Sequence, residues 1–149
     1  DGVMTRAMFV TVIGRLYEHS FGSVSGTSTF LDVDANAYYA KYVAWAKANG
    51  IINGVGGNKF APLADVTREQ MAVIIFNFAA LLKKTAAADG SLTYPDSASV
   101  SSWAIESVKY CQETKIIEPR TDGSFAPQES ATRAEVSMIL QRFIANMLK

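Results

Sequence analysis

Apolar residues recur every three or four positions in several segments of this chain, and that spacing predicts amphipathic helices. Three of these segments directly follow a Thr-Arg pair, at Thr5-Arg6, Thr67-Arg68 and Thr132-Arg133. The apolar stripes are formed by Phe9, Val12, Ile13 and Leu16; by Met71, Ile74, Ile75, Phe78 and Leu82; and by Val136, Ile139, Leu140, Phe143 and Met147. Each stripe predicts one helix that begins at its Thr-Arg pair.

The sequence also repeats itself with an offset of 65 residues and no gap. Over this stretch the recurring elements are Ile51-Ile52 with Ile116-Ile117, Phe60-Ala61-Pro62 with Phe125-Ala126-Pro127, and Thr67-Arg68 with Thr132-Arg133. Upstream, Phe30-Leu31-Asp32 resembles Tyr94-Pro95-Asp96, so that each unit begins with an aromatic-x-Asp motif. Self-similarity of this kind predicts a repeat architecture.

A further apolar stripe precedes the Phe-Ala-Pro segment in both complete units. It predicts a first helix, helix A, with Tyr39, Val43, Trp45 and Ala46 on or near one face in one unit, and formed by Ile105, Val108 and Cys111 to Gln112 in the other. Gly50 supplies a left-handed stop after the first of these helices. The helix that follows each Thr-Arg pair is helix B of its unit.

Three repeats account for the chain. Residues 1–20 are the helix B half of a first repeat, 29–84 are a second repeat and 92–149 are a third. The partner helix of the first repeat is expected before residue 1. The connectors, Ser20 to Thr29 and Lys83 to Ser91 with its Asp89-Gly90 turn signal, are predicted to be exposed. We therefore predict an all-α fold of tandem helix-loop-helix repeats around a shared pseudo-threefold helical bundle core, with the first repeat incomplete.

These motifs resemble those of the S-layer homology family. The matching elements are aromatic-x-Asp, Trp103-Ala104 at the start of helix A, Gly50-Ile51-Ile52-Asn53-Gly54, Phe-x-Pro and the Thr-Arg pair. The resemblance implies a module that holds secreted proteins at the bacterial cell surface by binding an anionic, often pyruvylated, secondary cell-wall polysaccharide in grooves between repeats. No secretory signal is visible in the first residues of the chain.

Several positions depart from the family pattern. Tyr38 occupies the usual Trp position of the second repeat, and Lys115 and Pro119 replace two glycines in the third. Met8 stands where the family has an acidic residue or Gln. A complete third groove is therefore not expected in this chain.

The three arginines after the threonines are the first candidates for ligand contact. A helix N-terminus favours Asp or Glu by about 0.3–1 kcal/mol, so folding alone would not place Arg6, Arg68 and Arg133 there. A guanidinium beside free backbone N–H groups suits a carboxylate. The alternative is that each arginine forms an ion pair with an acidic residue of the adjacent repeat, such as Asp32 or Asp96, which fixes how repeats dock.

Sugar binding also favours aromatic faces and loop amides. The remaining candidate ligand-binding residues are Asp32, Asp96, Tyr38, Trp103, Gly54, Gly56 and Gly57. The threonines are explained by folding, because Thr67 with Gln70 and Thr132 with Glu135 have the spacing of a capping box. Other aromatic residues at helical or loop positions are predicted to lie in the core, namely Trp45, Tyr110, Phe60 and Phe125.

Composition and spacing exclude most other chemistry. Lys+Arg 14 balance Asp+Glu 14, which argues against a nucleic-acid partner. The longest apolar stretch, Met71 to Leu82, is too short for membrane insertion. No cofactor or metal is expected, since the Asp32-Val33-Asp34 segment lacks the later ligands of a calcium loop. Cys111 lies on an apolar stripe, so a Cys111–His19 nucleophile and base is not favoured, and we predict a non-catalytic module.

A second function remains open at this point. The same surfaces could bind another protein subunit, and a second copy could complete the first repeat by self-association. Binding of an anionic cell-wall polysaccharide is the leading hypothesis, and a protein-interaction or assembly module of a bacterial surface protein is the alternative.

Overall fold

The computed structural model describes residues 2–85 and 90–147. The helices in this part of the chain are α1 (Arg6–Phe21), α2 (Ala40–Ala48), α3 (Arg68–Leu81), α4 (Ile105–Thr114) and α5 (Arg133–Met147). Two short 3-10 turns, Ser97–Ser99 and Ser102–Ala104, precede α4. Among the described residues, extended pairing is limited to isolated bridges. The predicted all-α class is confirmed, whereas the Asp89 turn of the second connector lies outside the described residues.

The helices that follow the Thr-Arg pairs begin at their predicted caps. The Thr67 hydroxyl accepts the Gln70 N–H at 3.2 Å, and the Gln70 side chain accepts the Thr67 N–H at 3.0 Å. Thr132 and Glu135 make the same two bonds at 3.1 and 3.0 Å. Thr5 accepts the Met8 N–H at 3.1 Å. Local side-chain chemistry therefore sets where each helix B starts.

Residues 5–65 form one compact unit in which α1 packs on α2. The ring of Tyr17 on α1 lies 5.0 Å from that of Trp45 on α2. Gly14 allows close approach, because a Cβ there would lie 2.3 Å from Cδ1 of Tyr42. Phe9 and Val43 are fully buried between these elements. This unit combines α1, which the sequence predicts to be helix B of a first repeat, with helix A of the second repeat.

A second compact unit comprises the described parts of 1–4 and 66–149, and in it α3 packs on α4. Phe76 of α3 meets Tyr110 of α4 edge to face at 5.4 Å. Phe78 stacks on Phe143 of α5 at 5.4 Å. Here too, helix B of one repeat packs on helix A of the next. Compact units are thus displaced by half a repeat from the sequence repeats, while the shared pseudo-threefold core stays a prediction.

The predicted core aromatics are buried. Trp45 and Tyr110 keep 6% and 4% of their surface exposed, and Phe60 and Phe125 keep none. Gly50 ends α2 with a φ of 71°, and Lys115 takes the same left-handed conformation after α4 with a φ of 60°. The third repeat therefore keeps the left-handed turn although lysine stands at the position of Gly50, and a residue with a side chain is strained in that conformation.

Candidate functional site

Asp32 and Arg6 hold the same backbone segment within the 5–65 unit. The Asp32 carboxylate accepts the N–H groups of Phe60 and Ala61, each at 2.8 Å. Arg6 Nε donates to the Phe60 carbonyl at 2.9 Å, and its guanidinium lies 4.6 Å from the Phe60 ring centroid. Ala61 has a φ of 58°, which a residue with a Cβ rarely adopts. The paired contacts hold the loop in this strained conformation.

The third repeat reproduces this arrangement. Asp96 accepts the N–H groups of Phe125 and Ala126 at 2.9 and 2.8 Å, and Ala126 has a φ of 55°. Arg68 Nε donates to the Phe125 carbonyl at 2.6 Å, with the guanidinium 5.1 Å from the ring centroid. The aromatic-x-Asp, Phe-x-Pro and Thr-Arg motifs are therefore parts of a single loop-holding device.

All three guanidinium nitrogens of Arg68 donate to protein groups. Its Nη1 donates to Glu135 Oε2 at 2.7 Å, its Nη2 donates to the Glu118 carbonyl at 2.8 Å, and only 2% of the residue is exposed. This geometry matches the ion-pair interpretation, but the predicted partner Asp96 is wrong and Glu135 takes its place. Burial lowers the pKa of Arg68, and the neighbouring Glu135 charge opposes that shift.

Arg6 is equally buried, with 6% of its surface exposed. Burial lowers its pKa, and the charge of Asp32 acts in the opposite direction. Within the described chain, no ion pair joins Arg6 to Asp32, so the ion-pair alternative is wrong for these two residues. The two residues are linked through the Phe60 backbone instead.

Arg133 differs from the other two arginines because it is exposed. Its backbone N–H donates to the Gly2 carbonyl at 3.0 Å. Among residues 2–85 and 90–147, its guanidinium has no hydrogen-bond or ion-pair partner. The three Thr-Arg sites are therefore equivalent in sequence but not in environment.

Sequence reasoning missed the cluster around Glu135. Burial opposes ionisation of this carboxyl, but the Thr132 N–H and the charges of Arg68 and Arg120 outweigh it and lower its pKa. Arg120 also contacts Glu129 and donates to the Ser130 carbonyl at 3.1 Å. The capping-box spacing identified Glu135 only as a cap, and nothing in its spacing pointed to Arg120.

A groove of about 240 Å³ lies beside helix A in the 5–65 unit. Its polar wall is formed by Thr27, Ser28 and Lys41, and Tyr38 forms its aromatic side. Tyr38 is 58% exposed. The Lys41 ammonium lies 3.5 Å from a Glu18 oxygen, and 47% of the Lys41 side chain is exposed.

The equivalent position of the third repeat carries Trp103, which is 60% exposed. Nearby, the buried carboxylate of Glu69 accepts the Ser101 N–H at 2.9 Å and the Ser101 hydroxyl at 2.7 Å. Glu106 occupies the position equivalent to Lys41. This repeat therefore offers an aromatic face but an acidic neighbour in place of the cation.

The three predicted glycines lie in an exposed turn. A Cβ on Gly54 would meet the Lys59 carbonyl oxygen at 2.6 Å, and Gly56 and Gly57 have φ values of 105° and 61°. Val55 donates to the Lys59 carbonyl at 2.8 Å and closes the turn. Backbone geometry accounts for all three glycines.

The described residues bring together little that resembles a catalytic centre. Cys111 is fully buried, and burial raises the pKa of its thiol, while His19 is exposed on α1. In residues 2–85 and 90–147, no group of three His, Cys, Asp or Glu side chains is arranged to hold a metal ion. None of the helices described is both long and apolar enough to cross a bilayer.

Comparison with known proteins gives a family match. The model of the S-layer homology domain matches residues 29–72 and 93–137. An amylopullulanase from Thermoanaerobacterium thermosulfurigenes is 33% identical over 92% of this chain. A cellulosome-anchoring protein from Acetivibrio thermocellus is 31% identical over 66%, and the surface-layer 125 kDa protein of Lysinibacillus sphaericus is 28% identical over 82%.

The chain spans only a small part of these relatives. It covers 7% of the amylopullulanase, 22% of the cellulosome-anchoring protein and 10% of the surface-layer protein. The likeness therefore concerns a module within larger proteins.

Proposed function

We propose, from the premise that this chain belongs to the S-layer homology domain family, that it is a non-catalytic module anchoring a secreted protein to the bacterial cell surface. Its ligand is an anionic, pyruvylated secondary cell-wall polysaccharide. Relatives named as a cellulosome-anchoring protein and a surface-layer protein support the anchoring role. Catalytic activity of an enzyme carrying such a module would reside elsewhere in that protein.

The observation that carries the proposal is the exposure of Tyr38 and Trp103 at the same position of two repeats, 58% and 60% respectively. Other aromatics of helix A, Trp45 and Tyr110, are buried in the core. A large aromatic face in solvent beside a groove is typical of a binding surface. Such a face suits the apolar side of a sugar ring.

Charge favours the groove of the second repeat for an anionic glycan. Lys41 offers an ammonium group next to Tyr38, and the hydroxyls of Thr27 and Ser28 supply donors and acceptors for sugar hydroxyls. In the third repeat, Glu106 would repel a carboxylate. We therefore assign acidic-sugar binding to the Tyr38–Lys41 groove.

Arg6, Arg68, Asp32 and Asp96 take a positioning role in this proposal. They hold the two Phe-x-Pro loops through hydrogen bonds to the backbone N–H and carbonyl groups of Phe60 and Phe125. Gly54, Gly56 and Gly57 shape the loop between helix A and the first of these segments. Their substitution should affect glycan binding only through the fold.

The test is calorimetric titration of purified anionic wall polysaccharide into the chain. Tyr38→Ala and Lys41→Gln should each weaken binding by about tenfold, which corresponds to about 1.4 kcal/mol. Lys59→Gln, an exposed lysine of the same unit, is the matched control and should bind like the wild type. Polysaccharide stripped of its pyruvyl groups should lose affinity for the wild type but not further for Lys41→Gln.

Circular dichroism establishes that the variants are folded. Unchanged affinity in both Tyr38→Ala and Lys41→Gln would eliminate the groove as the binding site. Absence of any wild-type binding would remove the glycan from the proposal.

A second candidate function, a protein-interaction or assembly module, is favoured by the exposure of Arg133 and Ala134 at the start of α5. Protein binding through that surface without affinity for wall polysaccharide would identify this function as the principal one.

A further inference from the structure

Two Asn-Gly pairs lie close together in the second repeat, at Asn49-Gly50 and Asn53-Gly54. Asparagine before glycine is chemically labile, because a residue without a Cβ lets its backbone nitrogen approach the side-chain amide carbon of the asparagine. The reaction closes a five-membered imide ring and releases ammonia. Whether it takes place in a folded protein depends on whether these two groups are free to meet, and the two pairs differ in that respect.

The first pair is held by hydrogen bonds at the end of α2. The Asn49 side-chain nitrogen donates to the Trp45 carbonyl at 2.8 Å, and the Gly50 N–H donates to the Lys47 carbonyl at 3.2 Å. The acceptors are carbonyls of the last helical turn, which lack partners within the helix. Ring closure would break both bonds, so the structure protects Asn49.

The second pair lacks this protection. Asn53 and Gly54 are both exposed. In the part of the chain that the structure describes, neither the Asn53 side chain nor the Gly54 N–H has a hydrogen-bond partner. The other asparagine of this loop, Asn58, precedes a lysine and donates its side-chain amide to the Thr29 carbonyl at 2.9 Å. Asn53 is therefore the asparagine of this loop whose reacting groups are free.

The third repeat cannot undergo the same reaction. Its equivalent residues are Glu118 and Pro119. Proline has no N–H to give up and glutamate has no side-chain amide to lose. The Glu118 carboxylate lies 3.7 Å from the Arg142 guanidinium, and 55% of the Glu118 side chain is exposed. A negative charge is thus compatible with this position of a repeat.

We propose that Asn53 is a site of spontaneous deamidation in the folded protein, with Gly54 as the internal nucleophile and water as the co-reactant. The Gly54 backbone nitrogen forms a bond with Asn53 Cγ, the bond from Cγ to the side-chain nitrogen breaks, and that nitrogen takes the Gly54 proton and leaves as ammonia. Water then opens the ring at either carbonyl. One opening gives an aspartyl residue, and the other gives an isoaspartyl residue whose main chain runs through Cβ and Cγ.

The isoaspartyl product alters the loop at a tightly packed point. Its main chain is one carbon longer between Ile52, which is 4% exposed, and Gly54. A Cβ on Gly54 would lie 2.6 Å from the Lys59 carbonyl oxygen and 2.9 Å from the Phe30 ring, so the backbone there has little room to shift. The Val55 N–H donates to the same Lys59 carbonyl at 2.8 Å and closes the turn. The isoaspartyl form therefore opens this turn, whereas the aspartyl form adds only a negative charge.

The test is an ageing experiment on the whole folded chain in mildly alkaline buffer, which favours loss of the backbone proton. Trypsin cleavage after Lys47 and Lys59 places both Asn-Gly pairs in one peptide, residues 48–59, and tandem mass spectrometry locates the amide that has become a carboxyl. Deamidation of Asn53 should be about tenfold faster than that of Asn49, or more, because reaction at Asn49 first breaks two hydrogen bonds. In concentrated urea the two rates should be similar.

Asn53→Gln is the matched control, because its longer side chain cannot close the five-membered ring. It should gain no carboxyl at this position and should leave the rate at Asn49 unchanged. Equal rates at Asn49 and Asn53 in the folded chain, or a faster rate at Asn49, would overturn the proposal.

A second measurement tests the effect on the turn. The isoaspartyl fraction of the aged chain, separated by chromatography and identified with an isoaspartyl methyltransferase, should unfold at a lower urea concentration than fresh protein. Asn53→Asp should unfold like the wild type. An isoaspartyl fraction as stable as fresh protein, or an equal loss in Asn53→Asp, would overturn the assignment of this effect to the longer main chain.

Discussion

Glu135, at the third position of α5, accepts a hydrogen bond from buried Arg68 at the first position of α3, at 2.7 Å. The same carboxylate accepts the Thr132 N–H at 3.0 Å. It therefore caps one helix while neutralising the arginine at the start of another. Gln70, at the equivalent position of α3, caps in the same way without a charge.

Substitution Glu135→Gln separates these two roles, because glutamine can still cap the helix. We expect it to lower the free energy of unfolding by about 2–4 kcal/mol, since it leaves the Arg68 guanidinium buried without its carboxylate. Gln70→Ala, which removes a cap but no charge, should cost only about 1 kcal/mol. Urea unfolding followed by circular dichroism measures both, and equal losses in the two variants would contradict the prediction.

Asp32→Asn tests the loop-holding carboxylate. An amide has one acceptor oxygen in place of two, so one of the Phe60 and Ala61 N–H groups loses its bond. We expect a loss of about 1–3 kcal/mol in unfolding free energy. Ala61→Gly in the Asp32→Asn background should recover part of it, because glycine adopts the φ of 58° without strain. A rescue variant no more stable than Asp32→Asn would show that strain is not the cause.

Acid should destabilise the protein through two carboxyls. Burial opposes ionisation of Asp32, but backbone N–H groups of Phe60 and Ala61 outweigh it and lower its pKa, and the pKa of Glu135 is lowered as well. Their stabilisation is present above the ordinary values of 3.8 and 4.5 and is lost as pH falls through the lower folded-state values. Unfolding free energies measured from pH 7 to pH 3 should decline, less steeply for Asp32→Asn than for wild type.

Gly14→Ala should destabilise the contact between α1 and α2. The new Cβ would lie 2.3 Å from the Tyr42 ring, whose hydroxyl donates to Glu18 at 2.7 Å. Overpacking costs about 1–3 kcal/mol, which exceeds the gain of about 1 kcal/mol in helix propensity. In a Gly14→Ala, Tyr42→Ala double variant the clash is absent, so the losses should be less than additive. If urea titration shows that the two single substitutions lower the unfolding free energy additively in the double variant, the clash is excluded.

Cys111 should be unreactive in the folded protein. Its side chain is fully buried and its thiol pKa is raised by burial, so neither access nor the thiolate is available. Labelling with a thiol-reactive chromophore should be slow in buffer and fast in concentrated urea. Rapid labelling without denaturant would indicate that the compact unit in which α3 packs on α4 opens readily.

Local signals in the sequence were sufficient for much of the fold. Thr67 and Thr132 mark the helix starts through capping, and the spacing of Met71 and Phe78 defines a stripe that the core buries. Such features depend on residues within a few positions of one another. The all-α class could therefore be predicted.

The candidate site could be predicted only in part. That Arg68 pairs with Glu135 and not with Asp96 depends on packing between segments far apart in sequence, and Glu135 already had a local role as a cap. The family pattern, and not helical spacing, separated Tyr38 as a candidate ligand contact from Trp45 as a core residue, and their exposed fractions are 58% and 6%. Alanine prefers a negative φ, so the left-handed conformation of Ala61 could not be predicted from its residue type. It arises because Asp32 accepts the Ala61 N–H.

The half-repeat displacement of the compact units has a practical meaning for dissection of this protein. A fragment trimmed to the borders of the second sequence repeat would separate α2 from α1 and leave Val43 and Trp45 without their cover. A division after residue 65 instead leaves each helix A with the helix B that it touches. Fragments cut at the borders of the sequence repeats should therefore be poorly folded and prone to aggregation. Fragments cut after residue 65, inside the second repeat, should be soluble.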